Sequence, residues 1–169
     1  VAIRGGEITV SESYEGIEGA QITISGGNIA VTASDDGLNA ADGSGTGWPG
    51  QTASGDFCIT IRGGTTVVYA DGDGIDSNGD IVMTDGTLLI HGPTENGNGA
   101  IDYEGTFTLD GGTLIAAGSS GMLQTPGSGS SQYTASILFA TAQAAGRPVS
   151  ISSADGETEI VFTPSKQYT

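Results

Sequence analysis

The chain has 169 residues, enough for one domain with a buried core. Glycine fills 30 positions, more than double the usual ~7 %, yet no Gly-X-Y period accompanies it, which excludes collagen. Four Lys and Arg against 20 Asp and Glu give a formal net charge of −16; nucleic acid and anionic membrane both need clustered cations and are excluded as partners, leaving metal cations and neutral or cation-bridged polysaccharides.

In chain order the predicted elements form a recurring triplet. A first short strand reads VAI from 1, ITI from 22, ITI from 59, IVM from 81 and FTL from 107. A pair of small residues and a second strand follow each time: GGEITV from 5, GGNIAV from 26, GGTTVV from 63, DGTLLI from 85 and GGTLIA from 111. The starts in both columns step by 21, 37, 22 and 26 residues. A third element follows, GIE from 16, GLN from 37, GID from 74 and AID from 100, its starts stepping by 21, 37 and 26 residues.

Three strands and three corners recurring every 21–22 residues are the signature of an all-β, right-handed parallel β-helix, a solenoid in which each coil stacks on the last. The longer steps mark insertions at 42–56 and near 92–98. Alternation points Ile59, Ile61, Thr66 and Val68 inward, stacked on Ile22, Ile24, Ile29 and Val31 and under Ile81, Met83, Leu88 and Ile90. The glycine pairs belong at corners, where positive φ or close backbone approach is needed. Residues 118–132 read as a loop closing the fifth coil, and 133–169 as less regular coils or a cap within the same single domain, 1–169. ILFATAQAAG, from 137, is the one segment that fits a short helix. Cys58 is the only cysteine, so no intrachain disulfide and no CxxC metal site can form. No apolar run reaches the ~18 residues of a membrane span, and no membrane insertion is expected.

The segment YADGDGIDSNGD, residues 69–80, crowds four aspartates between two strands. Stacking the repeats places Glu15, Asp36, Asp73 and Asn98 in one column and Glu18, Asn39, Asp76 and Asp102 in the next. Rungs ~4.8 Å apart bring like charges together at a cost of roughly 1 kcal/mol per pair in water and several times that at lower effective dielectric. No Lys or Arg occurs between Arg62 and Arg147, so a hard divalent cation is the expected compensation. Ca²⁺ takes 6–8 oxygens, and carboxylates, Asn amides and carbonyls all gather at this corner. The alternative is that Asp and Asn merely form solvated turns. An EF-hand is excluded, because DGDGIDSNGDIV lacks the Gly at position 6, the Glu at 12 and the flanking helices; a nonapeptide β-roll has too short a coil.

The stretches SDDGLNAADG, DGDGIDSNGDI, GPTENGNGAIDYEGTF, GGTLIAAGSSGMLQ and EIVFTPSKQYT resemble a family of extracellular carbohydrate-binding β-helix proteins of cellulolytic clostridia and related bacteria. Members are similar in fold to family 9 pectate lyases, bind calcium along the β-helix, and bind cellulose or acidic sugars such as polygalacturonate without known lyase activity. The resemblance implies a secreted or cell-surface protein whose partner is plant cell-wall or other polysaccharide. It implies Ca²⁺ ligands at Asp35, Asp36, Asp73, Asp76 and Asp102, with Asn39, Asp71, Asn98 and Glu104 as further candidates. Members carry further N-terminal coils and a secretion signal, so a chain starting at Val1 is expected to be a trimmed or shortened relative.

Three function classes follow. A lyase needs a Lys or Arg base beside the metal, and the repeat puts none of Arg4, Arg62, Arg147 and Lys166 next to Asp73; no catalytic residue is therefore assigned. A binder needs aromatic rings for sugar faces, and Trp48 in the Gly-rich insertion, Tyr69 and Tyr103 are the candidates, against the alternative that Trp48 staples its loop and the tyrosines stack in ladders. His91 shares the outward column of Tyr69, beside an apolar stripe of Val67, Leu89 and Ile115. A structural subunit would pair its exposed first coil with another copy, giving head-to-tail self-association and a filament.

Overall fold

The computed structural model describes residues 1–42, 56–157 and 159–169. Trp48 and nearly all of the 42–56 insertion lie outside the described residues. Among the described residues the protein is all-β, without a helix. ILFATAQAAG forms none: its alternating Ala and Thr offer no apolar stripe to bury, and Ile137 and Leu138 are exposed.

Thirteen strands are described: β1 (Ala2–Ile3), β2 (Glu7–Val10), β3 (Ile17–Glu18), β4 (Gln21–Ala33), β5 (Leu38–Ala40), β6 (Cys58–Ala70), β7 (Ile75–Ser77), β8 (Asp80–His91), β9 (Ile101–Tyr103), β10 (Phe107–Leu109), β11 (Thr113–Ala117), β12 (Val149–Ser152) and β13 (Glu159–Phe162). One parallel sheet runs β1-β4-β6-β8-β10, with β2 also on β4 and β11 also on β8; a second runs β3-β5-β7-β9. The chain alternates between the two sheets. The pairing Ala2, Thr23, Thr60, Val82, Thr108 steps by the 21, 37, 22 and 26 residues of the sequence repeat.

The inward columns pair as the alternation predicts. Ile22, Ile59 and Ile81 are in register, as are Ile24, Ile61 and Met83, then Ile29, Thr66 and Leu88, then Val31, Val68 and Ile90. Leu38, Ile75 and Ile101 close the core from the second sheet. Burial of each such aliphatic side chain contributes ~1.5–3 kcal/mol, so the stacked columns supply the main cohesion. Gly27 and Gly64 sit at the corner between the halves of β4 and β6 with φ of 104° and 82°. A Cβ on Gly64 would lie 2.6 Å from Gly27 O, so successive corners nest only as glycine.

After β11, residues 118–132 lie along the last rungs rather than forming a new strand. Gly127 N–H donates to Phe107 O at 2.8 Å and Gln132 N–H to Leu109 O at 3.2 Å, which occupies the free edge of β10. The 92–98 insertion also carries no strand. Beyond it, β12 and β13 pair antiparallel. The C-terminal residues then return to the parallel sheet, where Ser165 N–H donates to His91 Nδ1 at 3.1 Å.

Candidate metal centre

The turn between β4 and β5 and the turn between β6 and β7 carry the acidic columns. Hydrophobic neighbours fix them: Leu38 and Ile75 point into the core, so Asn39 and Asp76 face the other way. Glu18, Asn39, Asp76 and Asp102 are in register across four strands. In the adjacent column, Gly16 N–H donates to Asp36 O at 2.8 Å and Gly37 N–H to Asp73 O at 2.9 Å, aligning Glu15, Asp36 and Asp73. The fourth member of that column is Gly99, whose carbonyl accepts from Gly74 N–H at 3.1 Å and whose N–H donates to Asp73 Oδ1 at 2.5 Å. Asn98 stands one residue earlier, with its N–H directed to Glu95 O at 3.4 Å. The residue directly before GIE, GLN, GID and AID is Glu15, Asp36, Asp73 and Gly99, so the spacing of the third element itself points to Gly99, and the placing of Asn98 in this column is corrected.

Oxygens of Asp36, Asp73 and Asp76 lie within 4.8 Å of one another, and all three residues are half-buried. Asp36 Oδ1 accepts Asp73 N–H at 2.7 Å, so one oxygen ties each step of the ladder while the carboxylate stays in the cluster. Burial pushes Asp36 up to about 7, reinforced by Asp73, Glu15 and Asp35 and opposed by the Asp73 N–H bond. Burial likewise pushes Asp76 up to about 7, with Asp36, Asp102, Asp73 and Glu104 adding to it. Asp73 is raised by burial against the pull of the Gly99 N–H, and Glu15 is raised mainly by burial. The protein thus concentrates carboxyl groups where water is scarce.

Two further observations fit an oxygen-seeking cation. Asn39 is only 8 % exposed, yet its Oδ1 has no hydrogen-bond partner, and the buried Oε2 of Glu15 has none either. A buried acceptor left unpaired costs about 1–3 kcal/mol, and a metal ion removes that cost. Gly72 leaves the cradle open: a Cβ there would come within 2.5 Å of both Asp35 Oδ1 and Asp36 Oδ1.

The other candidates divide. Asp102 accepts from Gln124 Nε2 at 2.7 Å, one rung beyond the cluster. Glu104 is exposed, with its N–H on Ser77 O. Asp35 is half-buried, and its carboxylate raises the Tyr14 phenol above its ordinary pKa. Asp71 pairs with Lys166 Nζ at 2.5 Å, and the same ammonium donates to Ala70 O at 2.7 Å. The expectation that no protein cation approaches the acidic turns is thereby corrected. Lys166 lies 95 residues along the chain from Asp71 and outside the repeat, so no spacing rule could have found it.

Of the aromatic candidates, Tyr69 stacks on His91 at 4.7 Å with planes 5° apart, and His91 stacks in turn on Phe162 at 4.8 Å. Tyr103 donates its hydroxyl to Thr125 O at 2.9 Å and meets Phe107 edge-on. Both rings are engaged in packing. Tyr14, by contrast, is 69 % exposed and was not singled out by the repeat, because it falls in a turn.

A family model described as carbohydrate-binding domain-containing protein matches residues 1–156. Comparisons with curated proteins and with solved structures give no match. With nearly the whole chain matched, the protein belongs to the family of carbohydrate-binding domain-containing proteins.

Proposed function

We propose that the chain is a right-handed parallel β-helix that binds calcium between its rungs and holds polysaccharide outside the cell without cleaving it. The family supports the polysaccharide part. The alternation of the chain between two parallel sheets, with one register step per repeat, supports the solenoid.

The calcium part rests on one observation, the convergence of Asp36, Asp73 and Asp76 oxygens from successive rungs. Asp36, Asp73 and Asp76 would hold the ion, with Asn39 Oδ1 as a neutral donor. When bound, Ca²⁺ supplies the positive charge that the crowded carboxylates lack. The chain's own contribution is a rigid frame: the Asp73 and Gly99 N–H bonds fix the carboxylates before any ion arrives. Calcium near millimolar levels is met by extracellular modules, which accords with a polysaccharide partner outside the cell.

Lys166 gives a lyase reading its one foothold, since an amine beside a metal site is what proton abstraction requires. That amine is held by Asp71 and Ala70 O, and it would have to leave both to act as a base. Pull-down on insoluble cellulose and on calcium-crosslinked polygalacturonate, with a parallel assay for unsaturated uronate, separates the readings. Retention without new ultraviolet absorbance is expected. Protein left in solution with every glycan contradicts the binding reading, and absorbance that disappears in Lys166→Ala establishes the lyase.

A further inference from the structure

On the outer side of the acidic turns lies an open groove of about 510 Å³ that crosses three successive rungs. Glu12 and Tyr14 come from the turn between β2 and β3, Thr32 and Ser34 from the end of β4 and the residue after it, and Asp71 from the residue after β6. Backbone bonds lock these turns together: Ser34 N–H to Ser13 O at 2.9 Å, Asp35 N–H to Tyr14 O at 3.0 Å and Asp71 N–H to Ala33 O at 3.2 Å. The groove therefore runs along the stacking direction for ~10 Å, the span of two rung steps.

Tyr14 stands in this groove at 69 % exposure. Single exposed aromatics are ordinary. Here the ring lines a groove whose other walls are mostly polar, and its face stays open. Around it are the carboxylate of Glu12, that of Asp71, which is 66 % exposed and shares one oxygen with Lys166 Nζ, and the hydroxyls of Thr32 and Ser34, the latter donating to Ser13 O at 3.2 Å. Ionised carboxylates only accept hydrogen bonds. A ligand that suits them donates through many hydroxyls, carries no negative charge, and offers an apolar C–H face to the ring.

Building on the polysaccharide-binding reading, we infer that this groove is a subsite for a neutral, hydroxyl-rich glycan chain lying along the stack, with Tyr14 as its aromatic platform. Calorimetric titration of the calcium-loaded protein with cellohexaose, xylohexaose and mannohexaose tests it, in the wild type and in Tyr14→Ala, Tyr14→Phe and Thr32→Arg. The expected result is binding of at least one neutral oligosaccharide, weakened about tenfold or more in Tyr14→Ala and Thr32→Arg and nearly preserved in Tyr14→Phe, with melting temperature and calcium heats unchanged. Equal affinity in wild type, Tyr14→Ala and Thr32→Arg overturns the groove and leaves polysaccharide binding elsewhere intact. Binding confined to polygalacturonate overturns the neutral-glycan subsite while the family-level reading stands.

Discussion

The backbone N–H of Asp73 donates to Oδ1 of Asp36 at 2.7 Å, across the step from one rung to the next. That bond holds two carboxylates together in a half-buried place where Asp73 adds to the burial that raises the affinity of Asp36 for a proton. Electrostatics alone opposes the arrangement, and the fold maintains it because Leu38 and Ile75, close along the chain from these aspartates, are locked in the core.

The metal-free protein is therefore expected to be more stable in mild acid than in base. Native Asp36 and Asp76 keep protons up to about 7, whereas an unfolded aspartate releases its proton near 3.8. Between those values the native state binds more protons, so stability falls as pH rises. With calcium present the sign reverses, because protons compete with the ion for the same oxygens. Melting curves at about pH 5 and pH 8, in chelator and in calcium, check both signs.

Gly72→Ala would place a Cβ 2.5 Å from the Asp35 and Asp36 carboxylates and 2.7 Å from the Asp35 carbonyl carbon. The backbone must shift, at a cost of about 1–3 kcal/mol. Calcium affinity is expected to drop along with stability, and titration calorimetry beside a denaturant melt reads both.

Thr66 takes a core position between Ile29 and Leu88, and its buried Oγ1 has no partner. Thr66→Val keeps the shape and removes the unpaired hydroxyl, so it should stabilise by about 1–2 kcal/mol. An increase in the denaturation midpoint with unchanged slope is the expected readout.

The C-terminal strap should loosen in acid. Burial, and secondarily Lys166, hold His91 below its usual pKa, and its Nδ1 must be unprotonated to accept Ser165 N–H. The unfolded or detached state takes up the proton more readily, so this contact is lost as pH falls below about 6.5. Amide exchange at Ser165 should accelerate there in the wild type, and His91→Phe, which keeps the stack but not the acceptor, should show fast exchange at every pH.

The repeat made much of this fold legible. Ile22, Ile59 and Ile81 could be stacked from spacing alone, because a period-2 strand repeated at a fixed step leaves one choice of inward face. Asp36, Asp73 and Asp76 were placed side by side for the same reason. What escaped was everything set by contacts outside the repeat. Lys166 reached Asp71 from a segment with no periodic partner, whereas Gly99 in the place given to Asn98 follows from the spacing of AID itself. Tyr14 escaped because exposure in a turn leaves no pattern of alternation to read.

Calorimetric titration of chelator-stripped protein with calcium, in the wild type and in Asp76→Asn, tests the central claim most directly. Saturable binding is expected, with a melting temperature that rises with calcium in proportion to about RT ln(1 + [L]/Kd), and with affinity lowered at least about tenfold in Asp76→Asn. A flat titration, and a wild-type melting temperature identical in chelator and in millimolar calcium, would contradict calcium held between the rungs.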